Sequence, residues 1–185
     1  RIIMSFDGIV TRGIVNEYKR NIIGGKIEKI YQQEADELVF HIHSKQGNFK
    51  LFASCGSSHA RTHFISDSPV NQASPLAFCM LLRKHIQGGR ISEISQKGFE
   101  RVIEFSIETY NELGFSVNKK LILEIMGKHS NIILIDSESM KIIDSIKRVS
   151  IDINRFRQLL PGMVYQYPPS QDKIEINNLE MKDLD

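Results

Sequence analysis

Five residues of this 185-residue chain have the types and neighbours to handle a phosphate-rich ligand. Lys128 and His129 stand in "LEIMGKHSNIILID", where Gly127 to Asn131 are small or polar and both flanks are strand formers. A cation and an imidazole on a tight turn can meet phosphate oxygens or base edges. They can equally be solvated, with Ser130 and Asn131 supplying turn hydrogen bonds. Glu100 and Arg101, in "GFERVIEF", come just after a turn and just before an apolar strand. An adjacent carboxylate and guanidinium offer an acceptor and a forked donor; the same pair also reads as a surface ion bridge. Asp7 falls in the first turn of an expected helix, where the helix dipole alone would favour a carboxylate.

Other chemistries find little support. The chain has no phosphate-loop, dinucleotide or nucleophile-elbow motif. Cys55, His59 and His63, with Cys79 and His85 further on, lack the two tight pairs of a zinc site. We expect no metal and no cofactor. His41 and His43 alternate on one strand face and read as solvated. Two cysteines make no disulfide framework. No apolar run approaches the ~18 residues of a membrane span, and no long apolar leader is visible near the N-terminus, so a cytoplasmic location is expected. Residues 1–157 hold 22 Lys and Arg against 17 Asp and Glu, whereas residues 158–185 hold 2 against 5. A mildly basic body of this kind allows a polyanionic partner without requiring one.

The elements that must position these residues follow from apolar spacing. Ser5 can cap a helix whose Phe6, Ile9, Val10, Ile14, Val15 and Tyr18 recur at helical intervals, stopped by Gly24 and Gly25. A second helix opens with Ser74 and Pro75, runs through Leu76, Phe78, Cys79, Leu82 and Ile86, and stops at Gly88 and Gly89. The stretches after the stops, "GGKIEKIYQ" and "GGRISEISQ", align without a gap. Each leads into Val-, Ile- and Phe-rich segments separated by short polar turns, a pattern of antiparallel strands. The fold class expected is α+β: an internally duplicated two-sheet antiparallel sandwich with a helix ahead of each half. Residues 1–3 precede Met4-Ser5-Phe6-Asp7, which resembles a natural start, and are set aside as an addition. The domain is expected over 4–169, closed by Pro168 and Pro169, with 170–185 an acidic linker into a further domain.

Several motifs together resemble one family. "MSFDGIVTRGIV", "FCMLLRKHIQGGRI", "LEIMGKHSNIILID", "IIDSIKRVS" and "LLPGMVYQYPP", in this order, are similar to the NFACT-N domain of the RqcH and NEMF proteins, once called fibronectin-binding protein A in bacteria. The resemblance implies a ribosome-associated quality control factor. Such a factor binds the large ribosomal subunit carrying peptidyl-tRNA and recruits charged tRNA for template-free alanine tailing of the stalled chain. It is not a conventional enzyme, and a helix-hairpin-helix region follows its NFACT-N domain. The resemblance further implies a fold similar to the N-terminal domain of formamidopyrimidine-DNA glycosylases. Those use an N-terminal proline as nucleophile; here Ser5 follows Met4, leaving that chemistry without a carrier.

The family's tRNA-handling residues carry over as Asp7, Glu100, Arg101, Lys128 and His129, with the anticodon arm as the expected target. The family usually has Asp where Glu100 stands and Arg where Lys128 stands. The first departure lengthens the carboxylate side chain by one methylene; the second keeps the charge and loses bidentate recognition. A surface adhesin for fibronectin and a glycosylase-like nucleic-acid enzyme are the alternatives.

Overall fold

Helix α1 (Gly8–Ile22) buries Thr11, Val15, Tyr18 and Ile22, one stripe at intervals of three and four residues. The computed structural model describes residues 8–67, 76–98 and 100–169; Ser5, Phe6, Asp7, Ser74 and Pro75 lie outside that range. The expected apolar stripe is corrected at its start. Ile9 and Val10 face solvent, and a threonine, Thr11, occupies the buried position instead. Helix α2 (Ala77–Ile86) buries Phe78, Cys79, Leu82 and Ile86 as expected, while Leu76 stays partly outside as its N-cap.

The described residues form nine strands: β1 (Lys26–Tyr31), β2 (Glu37–Ser44), β3 (Gly47–Ser54), β4 (Arg61–Ile65), β5 (Arg90–Gln96), β6 (Val102–Tyr110), β7 (Ser116–Glu124), β8 (Asn131–Asp136) and β9 (Ile142–Ser145). All pairings are antiparallel, in the order β4-β3-β2-β1-β5-β6-β7-β8-β9. Two separate sheets were expected, and this is a correction: one sheet runs through both halves. Among the described residues, four backbone bonds join the halves. Gly24 N donates to Ile91 O and Gly88 N to Ile27 O, each at 2.7 Å; Ile27 N donates to Gly89 O and Ile91 N to Gly25 O, each at 2.9 Å. The partners exchange roles pairwise, as a local two-fold axis between the repeats demands. Pairing here also removes two strand edges that would otherwise be open.

The duplication reaches through four strands. Ile27 pairs with Ile42 as Ile91 does with Ile107, and each pairing slips by one residue just beyond. Outward from there, Phe40, Leu51 and Phe64 pair in succession as Phe105, Leu121 and Leu134 do. Val15, Tyr18, Leu82 and these inward residues all belong to a single hydrophobic cluster. The sheet curls around it. Lys147, just past β9, donates to the carbonyl of Cys55, just past β3. In a flat sheet these strands would stand seven spacings of about 4.8 Å apart, roughly 34 Å.

Among the described residues, only the second half has a second core. Val102, Ile122, Ile133, Ile135 and Ile142 on the outer face are covered by Leu159 and Tyr165 from the segment after β9. That covering segment proves important to the site.

Candidate nucleic-acid interface

The turn before β6 is built by Lys97 N donating to Val102 O at 3.1 Å and Glu100 N donating to Lys97 O at 2.9 Å. Gly98 takes φ +56°, a left-handed conformation that glycine adopts without a Cβ penalty. Gln96, the last residue of β5, clamps this turn to the start of α1. Its amide Nε2 donates to Gly8 O at 2.9 Å and to Glu100 O at 2.8 Å. Its Oε1 is buried with no hydrogen-bond partner among the described residues. Arg101 O in turn accepts from Ile125 N at 2.9 Å, so the 126–131 turn leaves the sheet beside Arg101.

That turn divides its residues between holding and displaying. Gly127–His129 form one 3-10 turn, with Gly127 at φ +58°. Ser130 is buried, and its Oγ accepts from Met126 N at 2.7 Å. Asn131 is buried too: its Oδ1 accepts from Ile132 N and Lys147 N, and its Nδ2 donates to Lys147 O at 2.8 Å. Lys128 and His129 are left facing outward. Partial burial and then the charges of Lys128 and Lys147 hold the His129 imidazole below its ordinary pKa, favouring the neutral ring.

The segment after β9 forms the opposite wall. Arg157 Nη1 donates to Glu124 Oε1 at 2.9 Å and Nη2 to Oε2 at 2.5 Å, and Arg157 Nε donates to Gln166 O at 2.8 Å. Tyr165 Oη donates to Glu124 Oε2 at 2.5 Å. Burial, then the Glu124 charge, push the Tyr165 hydroxyl well above the ordinary tyrosine pKa. Tyr167 Oη donates to Glu104 Oε1, and Lys97 Nζ lies 3.4 Å from the Tyr167 ring centroid. Between turn and strap lies a cavity of about 830 Å³. Its lining carries Lys128, Lys147, Arg148, Arg155 and Arg157 against one carboxylate, Asp152. Arg157 is neutralised by Glu124 and Arg148 pairs with Asp144 at 3.0 Å, so a surplus of positive charge remains.

Of the five residues expected at the site, the structure brings Glu100, Arg101, Lys128 and His129 to one end of the sheet. Asp7 lies outside the described residues, one position before the Gly8 that Gln96 holds. Sequence reasoning missed Gln96, Asn131 as the clamp on Lys147, and the whole 147–157 wall. "INRFR" was the available signal for that wall, with two arginines flanking an aromatic. Among the described residues no group of three or more His, Cys, Asp or Glu is placed to hold a metal ion. Cys55 and Cys79 are buried and free, and burial pushes the Cys55 thiol up to about 11. No described helix is long and apolar enough to cross a membrane.

The described residues thus form a duplicated antiparallel α+β domain with a basic, partly aromatic groove at one end. Residues 7–185 match the family described as NFACT N-terminal and middle domains. The chain is 46% identical over 171 residues to the Rqc2 homolog RqcH of Bacillus subtilis, covering 92% of this chain and 30% of that protein. Among solved structures, the N-terminal part of the fibronectin/fibrinogen-binding protein of Streptococcus suis superposes with a TM-score of 0.87 at 41% identity, covering 90% of this chain and 62% of that one. The N-terminal domain of fibronectin-binding protein PavA of Streptococcus pneumoniae gives 0.86 at 38% identity, over 95% and 69%. The chain belongs to the NFACT family. It spans about a third of the length of the curated relatives it matches.

Proposed function

We propose that this domain is the tRNA-facing part of a cytoplasmic ribosome quality control factor. In this reading the protein binds the obstructed large subunit with its peptidyl-tRNA and recruits charged tRNA for alanine tailing. Peptide bonds are made by the ribosome, so the domain itself acts as a binding element and not as an enzyme. The observation that carries the reading is the convergence of three distant segments through two fixed contacts: Gln96 holding Gly8 and Glu100, and Ile125 held by Arg101. These backbone contacts bring the segments that carry Glu100, Arg101, Lys128 and His129 to one end of the sheet. The anticodon arm is the fitting target, because proteins read sequence on RNA mainly at unpaired loops. Arg101 and Lys128 would meet phosphates or base edges, and Glu100 and Asp7 would accept from base amino groups.

The test is Arg101→Ala in the full-length protein. Loss of one charge-assisted contact should cost about 1.5–3 kcal/mol, a tenfold to hundredfold drop in tRNA affinity, with large-subunit binding mostly kept. Glu100→Asp should be tolerated. Undiminished tRNA copurification with Arg101→Ala at matched salt would sink the reading.

The solved streptococcal relatives, a fibronectin/fibrinogen-binding protein and a fibronectin-binding protein, support a second reading, binding of fibronectin or fibrinogen. Surface-sensor binding of either protein to the purified chain, unaffected by Arg101→Ala, would favour it. A shared architecture with the glycosylase N-terminal domain is part of our proposal for the fold; it lends no weight to glycosylase activity, which fold analogy cannot supply.

A further inference from the structure

Phe156 is about half exposed, in the wall of the groove that faces the 126–131 turn. An exposed aromatic is unremarkable when its backbone is loose, but this one is held on both sides. Asn154 Oδ1 accepts from Phe156 N at 2.9 Å and from Arg157 N at 3.1 Å, fixing the approach. Arg157, the next residue, is anchored by both carboxylate oxygens of Glu124. Arg155, the residue before, lays its guanidinium carbon 5.4 Å from the Phe156 ring centroid. Ile151 and Ile153, at 65% and 70% exposure, continue the apolar strip. The opposite rim carries Lys128 and His129.

We propose that Phe156, with Arg155, is a stacking platform for an unpaired RNA base, extending the interface proposed above from the sheet end into the groove. This rests on that reading and adds a residue and a mode of contact to it. A ring offered with its backbone already fixed loses little freedom on binding. Every base has a π-face, so such a platform captures loop nucleotides without choosing among them, and a neighbouring guanidinium adds cation–π and phosphate contacts. The volume of about 830 Å³ falls within the ~300–1,000 Å³ usual for ligand clefts. The excess of cations over carboxylates in the lining argues for a polyanion in preference to a protein or a lipid tail.

The experiment compares a labelled RNA hairpin bearing an unpaired loop with a blunt RNA duplex of equal length, by fluorescence anisotropy on the full-length protein. Phe156→Ala and Phe156→Leu should each weaken hairpin binding about tenfold while Phe156→Tyr stays near wild type. Duplex binding should be indifferent to all three. Arg155→Ala should lower the salt slope of hairpin binding by about one. Wild-type affinity in Phe156→Leu, or an equal loss on duplex, would overturn the stacking role. If Arg101→Ala weakens the hairpin and Phe156→Ala does not, the proposed function stands and this inference falls; if the wild type ignores the hairpin, both fall.

Discussion

His129 shows how one residue can be tuned by its setting. Its ring is partly buried and faces Lys128 and Lys147, so protonation is disfavoured in the folded chain. In an unfolded chain the ring would titrate near the ordinary ~6.5. The unfolded state therefore binds more protons just below that pH. The His129 contribution to stability is complete above the ordinary histidine range and is lost as pH falls beneath it. Bound phosphate reverses the preference, since an anion beside the ring favours imidazolium. We expect the His129 ring resonances to titrate below 6.5 in the free protein and at a higher pH when loop RNA is bound. An unchanged midpoint on binding would place His129 away from the phosphates. The neighbouring Ser130 and Asn131 are spoken for by backbone partners and hold the turn in place of reading a ligand.

At the scale of elements, the glycine pairs decide whether the halves can meet. A Cβ on Gly25 would lie 2.7 Å from Ile42 Cγ2 and 2.8 Å from Ile22 O; on Gly89 it would lie 2.7 Å from Ile107 Cγ2 and 2.9 Å from Ile86 O. Backbone oxygens cannot swing away, so Gly25→Ala and Gly89→Ala should each destabilise by about 1–3 kcal/mol, and by similar amounts. Gly24→Ala and Gly88→Ala meet no such clash, but φ values of +77° and +86° should cost about 1–2 kcal/mol each. Urea unfolding of the four single variants checks this; widely different costs at Gly25 and Gly89 would contradict the two-fold. The duplication was legible in sequence because these glycines, and the isoleucines after them, recur at one spacing. The single sheet was not, because four backbone bonds leave no mark on side-chain types. Nor was the exposure of Ile9 and Val10 beside a buried Thr11 legible. Helical periodicity fixes a stripe only to within a residue or so, and the packing partners choose among its phases. Lys128 and His129 were legible as a turn, but their groove was not, since its far wall joins them only through Asn131 and the fold of the strap.

The whole molecule depends on an asymmetry that duplication alone would not produce. The first half ends at β4 among the described strands, whereas the second continues through β9 into a strap that returns over β6, β7 and β8. Glu124, at the end of β7, is the strap's anchor: fully buried, it receives both Arg157 terminal nitrogens and the Tyr165 hydroxyl. A glutamate ending a strand would ordinarily be read as solvated, and its partners lie 33 and 41 positions away, so no local pattern announces it. Removing one partner of a buried ion pair is expensive because the other charge stays behind, while replacing the pair by apolar residues can be nearly neutral. Glu124→Gln should therefore destabilise the domain by about 3–5 kcal/mol. Glu124→Leu combined with Arg157→Leu should recover much of that loss in urea unfolding. The double variant is the sharper experiment. It keeps the outer core covered yet frees the residue that follows Phe156. If a fixed strap presents the stacking ring, the refolded double variant should still bind loop RNA more weakly than wild type. Binding equal to wild type would mean that the groove wall holds its shape without the Glu124 anchor.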